Sequence, residues 1–215
     1  MTADKELEGT VATHAWPAKL ASHVASAGRP VRVHGYDLHG DLAVHYDFGE
    51  YIVLALTGAP PPRQFGAAAN IALVALADAT VANASVHCAT LARRCGADAK
   101  GALATGLVAL AEEAEHVVAS SEEPSQHESA AGELFAALPE EVRRALGAPS
   151  STVRATAIAI LRLVGLNDPL QLQAAVSLAR MPVMVAETLA VERGDIRDYP
   201  MQLPRFDYQP PGVDE

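Results

Sequence analysis

Eight histidines and two cysteines are the side chains best suited to chemistry here, as general acids, nucleophiles or metal ligands. His34, His39 and His45 lie close in sequence, but their spacing fits no closed metal site, and they read as surface or hydrogen-bonded structural residues. His87 and Cys88 are neighbours on a helical stretch, so they point in different directions and form no dyad. Cys88 and Cys95 lie seven residues apart in what reads as one helix. Helix rise separates them by about 10 Å, too far for a disulfide. Both are expected to be reduced and buried, behaving as small apolar residues in a cytoplasmic protein. His116 follows Glu112, Glu113 and Glu115, which read as a solvated helix face. No GxGxxG, Walker loop, HExxH or GxSxG is present, so nucleotide, zincin and hydrolase chemistries find no support.

The elements that must position these residues are helices. Phe48, Tyr51, Ile52 and Ala55 recur at helical spacing behind a capping Asp47, and Gly58 ends that helix. Upstream, Val31 to Asp37 reads as a short extended piece ending at Gly35. Pro60, Pro61 and Pro62 form a stiff extended linker. Residues 65–77 are apolar nearly all round, which predicts a helix buried on most sides, with a partner subunit as the usual means. Asn83 or Ser85 starts a helix to Gly96, and Asp98 caps another to about Val118. Gly101, Ala102, Thr105 and Gly106 place small residues where a neighbouring helix can approach closely. Residues 120–129 are polar and of low complexity and make the best linker candidate. Short helices are expected at about 130–137 and 140–146. Ser151 or Thr152 caps one to Val164, and Asp168 caps Pro169–Arg180 with proline at the first helical position. Pro182 is expected to break or kink the chain before a last helix to Arg193.

Composition agrees. The 215 residues are 50% hydrophobic, 5% aromatic and 20% charged. That is too apolar for disorder, and a chain of this length buries roughly 70% of its unfolded surface without staples. With few aromatics, the core must be Ala, Val and Leu, which favours all-α packing. The net charge of −10, with scattered basic residues, argues against nucleic acid and against an anionic membrane. No apolar run reaches about 18 residues, and Met1 to Glu8 carries no apolar core of a signal peptide, so a cytoplasmic protein is expected.

Four segments carry more specific information. They are Val31-Arg32-Val33-His34-Gly35-Tyr36-Asp37-Leu38, the run from Asp47 to Gly58 with its proline tail, the run from Ala84 to Asp98 followed by Ala104-Thr105-Gly106-Leu107, and Ala179-Arg180-Met181-Pro182-Val183-Met184-Val185-Ala186 leading to Ile196-Arg197-Asp198. In that order they resemble the citrate synthase and citryl-CoA lyase superfamily. Its corresponding stretches read I-x-V-R-G-Y-D-L, F-x-E-x-x-Y-L-L-L-T-G-x-x-P, S-x-x-A-A-R-x-x-A-S-T-G-A-D and A-R-x-P-G-W-I-A-H, the last followed by I-R-D or I-R-P. The resemblance implies an all-α, citrate synthase-like large domain that forms an obligate homodimer. It also implies a small-molecule carboxylate site partly completed by the other subunit. The implied division is a disordered N-terminus at 1–9 and a large-domain helical part at 10–118. A residual small domain or linker follows at 119–150, then C-terminal helices and a partner-reaching tail at 151–215.

Departures from the pattern matter as much. The family's D-H-G piece matches Asp78-Ala79-Thr80, without its histidine. His116-Val117-Val118 matches H-G-G with both glycines gone. Nothing in 119–150 matches the P-G-F-G-H loop that helps hold coenzyme A, so no cofactor is expected and a coenzyme A thioester is doubtful. Val153 stands where the family has its catalytic Asp, and valine takes no proton. Each lost acid/base group costs about 10²–10⁴-fold, which argues against ordinary citrate synthase or citryl-CoA chemistry. What the resemblance leaves is Arg180 and Arg197 as carboxylate-binding cations and His116 as general acid/base. Glu187, replacing the histidine of the family's A-H, is the second catalytic candidate. Three functions follow. One is an enzyme with altered carbon–carbon bond chemistry (a lyase, cyclase or decarboxylase) on a small or polyketide-like acid, of the kind used in specialised biosynthesis. Another is a non-catalytic binding dimer, and the third a weak citryl-CoA lyase or synthase. Taken alone, Arg180 and Arg197 are also ordinary helix-end and tail cations, and His116 and Glu187 ordinary surface residues.

Overall fold

The computed structural model describes residues 21–26, 28–121 and 128–195. Arg197 and the Ile196-Arg197-Asp198 motif lie outside the described residues. The extended piece does not stop at Gly35 but turns back on itself. Strand β1 (Arg32–Val33) pairs antiparallel with β2 (Tyr36–Asp37), in the register Arg32 to Asp37 and Val33 to Tyr36. Both turn residues have positive φ, 47° at His34 and 90° at Gly35, as a two-residue hairpin turn requires. The Asp37 carboxylate then caps a π-helical turn over Leu38–Leu42. The Gly40 N–H, and after it the His39 N–H, holds its carboxyl below the usual carboxylate range. A short helix α1 (Ala43–His45) follows.

Helix α2 (Phe48–Thr57) starts at a capping box. Asp47 accepts the Glu50 N–H, and Glu50 accepts the Asp47 N–H, each at 2.9 Å. It ends at Gly58 in the left-handed conformation. The proline run and a 3₁₀ turn at Arg63–Phe65 lead to α3 (Gly66–Ala75). This is the helix whose apolar surface suggested burial by a partner. Within the chain, α2, α8 and α9 cover Ala68, Ala69, Ala72 and Leu73, and Val74 stays 76% exposed.

Helices α4 (Ala84–Arg94) and α5 (Ala99–Ala119) form an antiparallel pair. Helix α6 (Glu128–Ala137) and α7 (Glu140–Leu146) pack on α8 (Val153–Leu163), and α9 runs over Pro169–Ala190. Asp98, Thr152 and Asp168 cap α5, α8 and α9 as their sequence positions predict. Asn83 stands at the start of α4 but turns its side chain away. Its Oδ1 accepts the Thr80 N–H at 2.7 Å and the Thr80 hydroxyl at 3.2 Å, tying the α3–α4 connection.

Two expectations are corrected. Pro182 neither ends nor divides α9, which is one helix through the proline and stops at Ala190 rather than Arg193. Pro182 itself is exposed, while Ala179, Arg180 and Met184 on either side are buried, so packing holds the helix across the missing N–H. The cysteines are free but only half-buried. Leu138 and Val142 share one core with Ile52, Leu73, Ile158 and Val176.

A second core layer lies between α4, α5 and α9, built from Val86, Ala89, Leu110 and Met184. Gly106 makes it possible. A Cβ there would stand 2.6 Å from Met184 Sδ, 2.8 Å from Ala89 Cβ and 3.0 Å from the Ser85 carbonyl. Among the described residues no helix is long and apolar enough to cross a membrane. No group of three or more His, Cys, Asp or Glu there is placed to hold a metal ion.

Candidate functional site: a buried arginine shared by two carboxylates

Leu172, Val176, Arg180, Met184 and Thr188 follow one another at four-residue steps on α9, and all five are buried. Helical periodicity therefore drives Arg180 into the interior along with its apolar neighbours. Its side chain is 1% exposed. A guanidinium so placed needs hydrogen-bonded, oppositely charged partners, because desolvating an isolated charge costs several kcal/mol.

Three elements supply them. Nη1 is paired with Glu113 Oε1 from α5, and Nη2 with Asp78 Oδ1 from the α3–α4 connection. Nε donates to the Leu76 carbonyl at the C-cap of α3, at 3.3 Å. That carbonyl belongs to the negative end of a helix, which favours a cation. Each carboxylate is itself held on its other oxygen. Glu113 Oε2 accepts the Ser85 hydroxyl at 2.7 Å and the Ser85 N–H at 3.3 Å, at the N-terminus of α4. Asp78 Oδ2 accepts Nε and Nη2 of Arg154, at 2.9 and 2.7 Å, from the first turn of α8. The two arginines and two carboxylates sum to zero charge.

Exposure grades across this cluster. Glu113 is 10% exposed, whereas Asp78 and Arg154 are each 40% exposed. Asp78 thus forms the solvent side of the network and Arg180 the inside. On the other flank, Ala77 and Ala179, chain neighbours of Asp78 and Arg180, help line an apolar groove of about 300 Å³ with Phe48, Leu73 and Val74.

The remaining predicted site residues stand around this centre rather than in it. His116 is exposed on α5, one turn beyond Glu113, and its carbonyl accepts the N–H and the hydroxyl of Ser120. Glu187 is half-buried on α9, seven residues beyond Arg180, about 10 Å along the same face. Among the described residues neither is hydrogen-bonded to Arg180. Glu113, expected on a solvated face together with Glu112 and Glu115, is instead the innermost carboxylate. Its helical register carried the signal, since Gly106, Leu110, Glu113 and Val117 follow at steps of four, three and four. Arg154 gave no comparable sign, because its partner lies 76 positions away in sequence.

No family model matches the sequence, and no curated protein matches it. Among solved structures, the fold is similar to citryl-CoA lyase from Hydrogenobacter thermophilus. The two align with a TM-score of 0.60 at 16% identity, over 91% of this chain and 97% of that chain. The alignment leaves no sizeable part of that lyase chain unmatched. The fold of this chain is therefore citrate synthase/citryl-CoA lyase-like, as the four-segment resemblance implies.

Proposed function

We propose that this chain is a citrate synthase-like lyase that recognises a small carboxylate through Arg180 and works as a homodimer. One observation carries the reading. A guanidinium lies buried where α3, α5 and α9 converge, in a fold similar to that of a citryl-CoA lyase. Planar N–H pairs recognise carboxylates bidentately, and low local dielectric strengthens such contacts. Arg197 supplies a second cation. His116 and Glu187 are the groups assigned to proton transfer, on the same two helices as Glu113 and Arg180. Cleavage of a carbon–carbon bond beside a carbonyl leaves the bonding electrons on an enolate. Arg180 would stabilise its carboxylate-bearing fragment while one group takes the hydroxyl proton and the other returns a proton to carbon. The expected substrate is a hydroxy or keto acid, cleaved, cyclised or decarboxylated without the family's usual Asp.

The test is a panel of β-hydroxy and β-keto carboxylates, with and without coenzyme A, followed by mass spectrometry. Turnover should appear in the wild type and fall at least 100-fold in Arg180→Lys and in His116→Ala. Turnover indifferent to Arg180 would sink this assignment.

A second reading has its own support. Asp78 and Glu113 already occupy the Arg180 guanidinium, and Val153 stands where proton transfer needs an acid. A non-catalytic dimer that binds a ligand without converting it matches both facts. Any turnover that depends on His116 removes it.

A further inference from the structure

Asp78 is the one carboxylate in the cluster held on both oxygens by arginines: Oδ1 by Arg180 and Oδ2 by Arg154. It sits in the irregular connection between α3 and α4, so its displacement unwinds no helix. Its side chain is 40% exposed, and Arg180 beneath it is 1% exposed. The Asp78 carboxylate therefore lies between Arg180 and solvent. Remove it, and the remaining charges, Arg154, Arg180 and Glu113, sum to +1, which a single ligand carboxylate neutralises. Arg154 approaches from the first turn of α8, immediately after Val153.

We infer that Asp78 is an internal stand-in for a ligand carboxylate, occupying a clamp formed jointly by Arg154 and Arg180, and that a small organic acid enters by displacing it. This rests on the reading of Arg180 as a substrate-binding residue and adds two things to it. Arg154 becomes a binding residue, and Asp78 becomes a competitor that sets how strongly an acid must bind. A ligand carboxylate gains two charge-assisted contacts and loses none to Glu113, whose oxygens stay with Arg180 and Ser85. A neutral amide or ester, lacking the charge, does not displace Asp78.

The test exploits the near-identity of an aspartate side chain and acetate. In Asp78→Ala, acetate fits the vacated position. Melting temperature is measured in sodium acetate and in sodium chloride at matched ionic strength. Asp78→Ala should melt lower than wild type in chloride and regain most of the difference in acetate. Wild type should respond little, and Asp78→Ala with Arg154→Ala should lose the acetate response. If Asp78→Ala does not fold, Asp78→Asn is measured with malonate by calorimetry. It should bind malonate about tenfold or more tightly than wild type, since one charge-assisted contact is worth that much. An acetate effect no greater than that of chloride, an equal effect on wild type, or unchanged malonate affinity in Asp78→Asn overturns the clamp. These outcomes are independent of turnover: the clamp can fail while Arg180 still governs catalysis, and an acetate response stands even if no substrate is ever turned over.

Discussion

Arg180 carries a charge at a position that α9 reserves for the core. Its partners differ sharply in how much water reaches them, and the consequences of removing them differ accordingly. Glu113 is 10% exposed, and Glu113→Ala leaves the guanidinium without its innermost counter-charge. A loss of about 3–5 kcal/mol in urea denaturation is expected, as for other broken buried pairs. Arg154 and Asp78 are both 40% exposed, so solvent screens their pair, and Arg154→Ala should cost no more than about 1 kcal/mol. Equal losses for the two substitutions would contradict the inside-to-outside gradient of the cluster. The two arginines thus differ in setting, Arg180 being 1% and Arg154 40% exposed.

Among the elements, α9 and α5 set the geometry of the site. At their crossing, a Cβ on Gly106 would meet Met184, Ala89 and the Ser85 carbonyl within 3.0 Å. Only Met184 can give way easily. Overpacking of about 1–3 kcal/mol should outweigh the helix-propensity gain of about 1 kcal/mol, so Gly106→Ala should lower the melting temperature. Pro182→Ala should do the reverse. It restores an N–H inside a continuous helix at an exposed position, and a gain of about 1–3 kcal/mol is expected in thermal unfolding. The elements themselves were largely legible in the sequence. Asp47, Asp98, Thr152 and Asp168 marked helix starts because capping is a local interaction, written within four residues. Pro182 misled because its local preference was overruled by tertiary contacts of Arg180 and Met184. The ion cluster stayed hidden for the same reason in a stronger form. Asp78, Glu113, Arg154 and Arg180 come from four separate parts of the chain, and spacing along a helix reaches only Glu113 and Arg180.

At the scale of the whole molecule, the apolar groove between α2, α3 and α9 is flanked by Phe48, 70% exposed, and Val74, 76% exposed. Such side chains beside an apolar groove suit burial against a second copy. Sedimentation velocity is expected to give a dimer for the wild type. Val74→Asp combined with Phe48→Asp should shift it to monomer, because each places a charge in an apolar contact. A wild-type monomer at all concentrations would remove the homodimer from the proposed function.

Asn83 gives up a helix cap in order to hold Thr80, and that choice bears on timing rather than on affinity. The Asn83 bonds to Thr80 fix the connection from which Asp78 reaches its two arginines. Asn83→Ala should leave the Asp78 pairs intact at equilibrium while the connection opens more often, so the Thr80 amide should exchange with deuterium faster than in wild type. The knot at Asn83 would then act as a clock on the release of Asp78, setting how frequently the interior arginine meets the outside without changing what it prefers to bind.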